Sequence, residues 1–109
     1  MDSTDKYTAL AATAERRFSD GYSCSQSVFS VLAERWEMEP ELSLRVAAGF
    51  GGGMGRAART CGCVTGAIMA IGLAQRSVSA EENRPEKEKT YESVREFLRR
   101  FEAAHGSTV

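Results

Sequence analysis

Nothing in this sequence is built to cross a membrane. The longest apolar stretch, residues 64–74, is interrupted by Thr65, Gly66 and Gly72 and is too short to span a bilayer. The start, Met1-Asp2-Ser3-Thr4-Asp5, is polar and acidic and lacks the positive region and apolar core of a signal peptide, so a cytoplasmic location is expected. A formal net charge of −1, with no pure basic run, gives no reason to expect nucleic acid or an anionic membrane as partner. Strand-like alternation and internal repeats are both missing, which leaves helices as the expected building blocks. No carboxylate pair stands out for acid–base work, and His105 is the only histidine.

Cysteine is scarce, and the scarcity is informative. Reduced thiols are expected in the cytoplasm, so Cys24, Cys61 and Cys63 suggest redox chemistry or metal binding before structural disulfides. An odd count also leaves one thiol over from any intramolecular disulfide.

What the chain does have is glycine, and it is concentrated. Seven of the ten glycines, and two of the three cysteines, fall within residues 49–66. Glycine gathers where the backbone needs positive φ or where another group must come close. The run lacks both the G-x-G-x-x-G pattern and the Gly-Lys-Ser/Thr ending of a P-loop, which argues against nucleotide binding. Its backbone N–H groups, at Gly51, Gly52, Gly53, Gly55 and Gly62, are candidates for an anion-binding nest around a phosphate, sulfide or oxyanion. The plainer alternative is a tight crossing of backbones with no ligand.

The rest reads as helical scaffold. Tyr7, Leu10, Ala11, Ala14 and Phe18 recur at helical spacing over residues 4–18, with Ser3 or Asp2 as cap. Ser23-Cys24-Ser25-Gln26 fits a capping box, which makes Cys24 the first residue of a second helix with Val28, Leu32 and Trp36 on its apolar face. Pro40 suits the start of a third helix, about residues 41–48, with Leu42, Val46 and Ala47 inward. Thr60 is the next good N-cap, placing Cys61 on the first turn of a nearly all-apolar fourth helix, residues 61–74. There Gly62, Gly66 and Ala70 lie four apart and offer a smooth stripe to a neighbour. Residues 76–89 are charged and contain Pro85, and read as a solvated linker. Residues 86–104 form the last helix, with Tyr91, Val94, Leu98, Phe101 and Phe97 inward. The expected fold is all-α: one domain over residues 1–109, a bundle of about five helices with a buried central helix preceded by the Gly-rich loop. The length of 109 residues suits one modest core.

Two cysteines at two expected helix starts form the main chemical constellation. A helix N-terminus carries the positive end of the dipole and free N–H groups, both of which favour a thiolate. Isolated buried cysteines are often no more than small hydrophobes, but Cys24 and Cys61 both sit beside small or polar neighbours. Cys63 would lie about 200° around a regular helix from Cys61, so it reads as a packed or auxiliary thiol unless that turn is irregular. His105, at the end of the last helix, reads as a surface cap first and as a fourth metal ligand second.

Three segments taken together resemble a known family. Gly21-Tyr22-Ser23-Cys24-Ser25-Gln26-Ser27-Val28, Phe50-Gly51-Gly52-Gly53-Met54-Gly55 and Cys61-Gly62-Cys63-Val64-Thr65-Gly66 resemble, in this order, the C_GCAxxG_C_C family of redox-active proteins. The end, residues 101–107, looks like that family's C-terminal helix. The resemblance implies a small, mostly helical protein with four cysteines and a role in redox, metal or cluster chemistry. Split-Soret cytochromes are distantly similar, but the chain has no Cys-x-x-Cys-His haem motif. It departs from the family at Cys63, which stands where alanine is usual, and it lacks the two later cysteines. Only Cys24 and Cys61 carry over.

Three functions are therefore expected, in this order. The first is a redox protein binding iron, copper, zinc or an iron–sulfur cluster through Cys24, Cys61 and Cys63, with a homodimer or other partner completing the site. The second is a metal-free thiol/disulfide oxidoreductase or sulfur carrier using Cys24 and Cys61. The third is a non-catalytic helical interaction module.

Overall fold

The computed structural model describes residues 3–75 and 80–109, and all regular structure among them is helical. Five helices of eight residues or more follow in order: α1 (Ser3–Ser19), α2 (Cys24–Ala33), α3 (Pro40–Ala47), α4 (Gly62–Leu73) and α5 (Ala80–His105). Single 3-10 turns, Glu34–Trp36 and Ala48–Phe50, extend α2 and α3, and a tight turn over Gly51–Met54 follows.

The capping box is present at α2. The Gln26 N–H donates to Ser23 Oγ at 3.3 Å, and the Ser23 N–H donates to Gln26 Oε1 at 3.0 Å. The Gln26 amide then reaches the Leu44 carbonyl at 3.0 Å, so the residue that starts α2 also fastens α3. α2 packs against α1, α3 and α4, and its closest partner is α4.

That closeness comes from the small-residue stripe. A Cβ on Gly66 would stand 3.0 Å from the Ser25 carbonyl oxygen and 3.2 Å from Val28 Cβ. The two backbones therefore approach nearer than a pair of ordinary side chains allows. Phe29, Ala33, Ala47 and Ala70 form the core cluster, with Leu32, Met38, Met69 and Leu73 packed around it.

The buried face of α2 also carries serines, and most are paired. Ser25 Oγ donates to the Ala47 carbonyl at 2.9 Å, and Ser30 Oγ accepts from Arg17 Nη1 at 2.7 Å. Arg17 pairs with Glu34 at 2.5 Å as well, which ties α1 to the far end of α2.

Several expectations change. Trp36 is exposed on the 3-10 turn instead of completing an apolar face of α2. On α3, Leu42 and Val46 face solvent while Ser43 and Ala47 are buried, because only small side chains fit where α3 meets α2. The N-cap of α3 is Glu39, whose carboxylate accepts from the Glu41 and Leu42 N–H groups at 3.0 and 2.9 Å. The stretch read as a linker is helical from residue 80. Pro85, sixth in α5, removes one backbone hydrogen bond near the helix start without ending the helix. The linker's first residues, 76–79, and the expected α1 cap lie outside the described residues and side chains. Val94, Phe97, Leu98 and Phe101 of α5 are half-buried, and Tyr91 is exposed.

Candidate functional site

The glycine turn is the floor on which the site stands. Gly52, Gly53, Met54, Gly55 and Arg56 have φ of 62°, 73°, 66°, 61° and 63°, a run of five left-handed residues, and Ala58 follows at 53°. Each non-glycine residue there costs about 1–2 kcal/mol, so the surrounding contacts must hold it. They do so through backbone bonds that fold the loop onto itself. Gly55 donates to the Gly49 carbonyl, Arg56 to Gly51, Ala58 to Gly52 and Arg59 to Gly53, at 3.0 to 3.3 Å. Of the glycine N–H groups expected to form a nest, that of Gly55 is engaged within the loop. Gly53 and Gly51 also serve close approach. A Cβ on Gly53 would lie 2.7 Å from the Arg59 nitrogen, and one on Gly51 would lie 2.7 Å from Ser23 Cβ, at the cap of α2.

On this floor the starts of α2 and α4 meet. Cys24 is the first residue of α2, as expected. Cys61 is itself the N-cap of α4, with φ −56° and ψ 138°, and the helix begins at Gly62; the Thr60 cap expected from sequence is one residue early. The Cys61 carbonyl accepts from the Val64 and Thr65 N–H groups at 3.0 and 3.1 Å. Its own N–H donates to the Thr108 carbonyl at 2.6 Å, so the C-terminal tail lies across the start of α4.

This one-residue shift gathers the thiols. Cys61 lies outside the regular helix, so the 200° rotation that would part it from Cys63 does not apply. Gly62, between them, presses directly on α2: a Cβ there would stand 2.8 Å from the Ser25 nitrogen and 3.0 Å from Cys24 Cβ. Cys63 interacts with both Cys61 and Cys24, and all three are free, half-buried thiols. Burial pushes the Cys63 thiol up to about 12, helped by charge and hydrogen bonding from Cys61 and then Cys24. Cys63 thus keeps its proton at neutral pH.

His105 has no part in the cluster's described contacts. It is exposed and stacks on Phe101, with ring centroids 4.4 Å apart. Among the described residues no three Cys, His, Asp or Glu side chains are arranged to hold a metal ion. As placed, then, Cys24, Cys61 and Cys63 do not fit a metal centre.

An open groove of about 640 Å³ leads to Cys24 and Cys63 from the side of α1. Ala14 and Phe18 form its α1 wall, and Ser27 and Val28 its α2 wall. Sequence reasoning gave no separate role to Ser27, which lines the groove, or to Thr108, which acts through its backbone, which no residue type announces.

The model of the family described as "Putative redox-active protein (C_GCAxxG_C_C)" matches residues 22–109. The chain belongs to that family. No curated protein and no solved structure gives a significant match. The stretch matched by the C_GCAxxG_C_C family contains all three thiols, the glycine turn and the tail over Cys61. No helix among the described residues is long and apolar enough to cross a membrane.

Proposed function

We propose that this C_GCAxxG_C_C protein is a thiol–disulfide redox protein. Cys24 and Cys61 alternate between dithiol and disulfide, and Cys63 remains a thiol. The observation that carries this reading is the contact of Cys63 with both other thiols where two helix N-termini meet. A thiolate formed at Cys24 or Cys61 can accept the Cys63 S–H, which stabilises the attacking charge without adding a second one. The dithiol lies within one chain, so no second protomer is needed to complete it.

In the reducing direction one thiolate attacks a disulfide sulfur and forms a mixed disulfide, releasing the first thiol. The other cysteine then attacks the protein sulfur of that mixed disulfide and releases the second thiol. Two electrons pass from the protein to the substrate, and the protein is left as the Cys24–Cys61 disulfide.

A bound iron, copper or zinc ion, or an iron–sulfur cluster, is the other reading of soft ligands brought together. The family's redox character supports it as much as it supports the dithiol. The placement of the side chains favours the dithiol, because among the described residues no three Cys, His, Asp or Glu side chains are arranged to hold a metal ion. Elemental analysis and alkylation of protein purified without oxygen separate the two. The dithiol reading expects no stoichiometric metal and the same alkylation with or without a chelator. Stoichiometric metal that shields the thiols until a chelator is added overturns it.

A further inference from the structure

The groove beside Cys24 has a feature that the thiol chemistry leaves unused. Ser27 is 2% exposed, and its hydroxyl has no hydrogen-bond partner among the described residues. Ser25, Ser30 and Ser43, the other buried serines among the described residues, are all paired. A buried hydroxyl without a partner costs about 1–3 kcal/mol, and a ligand atom that pairs with it recovers that. Ser27 lies in the lining of the groove, three residues after Cys24, so it stands about 4.5 Å further along the α2 axis. The groove has a volume in the range of small-molecule sites.

Its other walls set the character of the ligand. Ala14, Phe18 and Val28 offer apolar surface, and Glu15 is the acidic residue at the groove. Among the described residues no Lys or Arg lines it.

Resting on the thiol–disulfide reading above, we propose that this groove is the substrate site and that its substrate is a low-molecular-weight disulfide that is uncharged or cationic. One arm of the disulfide lies on Ala14, Phe18 and Val28. A polar atom two or three bonds from the sulfur pairs with Ser27 Oγ, which brings the S–S bond to Cys24. The Cys24 thiolate attacks the near sulfur, forms the Cys24 mixed disulfide and releases the far half as a thiolate, which takes a proton from water. Cys61 then displaces the bound half in the same way. One disulfide becomes two thiols, and two protein thiols become one disulfide. Anionic disulfides are disfavoured, because the groove offers them Glu15 and no cation.

The test is a single-turnover measurement of thiol release from fully reduced protein mixed with bis(2-hydroxyethyl) disulfide, cystamine or oxidised glutathione. Each rate is divided by that of the same disulfide with free dithiothreitol, which removes its intrinsic reactivity. The expected result is that the neutral and cationic disulfides exceed oxidised glutathione by about tenfold. Ser27→Ala is expected to weaken half-saturation by bis(2-hydroxyethyl) disulfide about tenfold, the loss of one hydrogen bond, while the rate at saturation holds. Oxidised glutathione reacting as well as the other two, or Ser27→Ala leaving half-saturation unchanged, overturns the proposal. Diamide separates this failure from a deeper one. If diamide links Cys24 to Cys61 while the three disulfides react alike, the groove assignment alone falls. If diamide forms no such link, the thiol–disulfide reading falls with it.

Discussion

Gly62 and Cys24 are in backbone-to-side-chain contact: a Cβ built on Gly62 would stand only 3.0 Å from Cys24 Cβ. That contact puts the first residue of α2 beside the glycine that the other two cysteines flank. It follows that the glycine between the cysteines sets the spacing of the thiols.

Gly62→Ala should therefore damage both stability and chemistry. The new methyl group meets the Ser25 backbone nitrogen at 2.8 Å, and backbone cannot swing aside as a flexible side chain can. A loss of about 1–3 kcal/mol in urea unfolding is expected, with slower formation of the Cys24–Cys61 disulfide. Gly72→Ala, in the same helix, is the control. Nothing lies within 4 Å of its Cβ, so a gain of about 0.5–1 kcal/mol is expected.

Cys63 gives the protein a defined alkaline limit. Its thiol is raised to about 12 in the folded chain, whereas an unfolded cysteine titrates near 8.5. Between those values the unfolded chain has lost the proton and the folded one keeps it, so stability falls as pH rises. Below about pH 8.5 both states hold the proton and Cys63 adds no slope. Cys63→Ala should flatten the decline of stability across this window. Iodoacetamide at pH 8 should leave Cys63 unmodified in the folded protein.

The tail is expected to guard Cys61. The 2.6 Å bond from the Cys61 N–H to the Thr108 carbonyl holds residues 106–109 over the start of α4. Deleting those four residues removes the acceptor. Hydrogen exchange at the Cys61 amide should then quicken by about tenfold or more, and alkylation of Cys61 should quicken with it. Unchanged exchange in the shortened chain would show that the bond does not protect this amide.

The parts of the fold written in local chemistry were legible in the sequence. The Ser23–Gln26 capping box and the Gly62–Gly66–Ala70 stripe depend on spacing alone, and both act in the structure as their spacing implies. The α3 face was misread because hydrophobicity points to Leu42 and Val46, while the gap beside α2 admits only Ser43 and Ala47. The cysteine cluster was half legible. Cys24 and Cys61 were paired through their helix starts, but Thr60 is as good a cap as the eye can find. Only the fold reveals that Cys61 takes that place and so turns toward Cys63. The left-handed path through Met54, Arg56 and Ala58 was not legible, because such residues rarely adopt it without tertiary support.

Peptide mapping under non-reducing conditions tests the central claim most directly. Reduced protein is treated with one equivalent of diamide, its free thiols are blocked and it is then digested. The account predicts the loss of two thiols per chain, a Cys24–Cys61 linked peptide, a blocked Cys63 and full reversal by dithiothreitol. Three blocked thiols, or a Cys61–Cys63 link with Cys24 free, would contradict it.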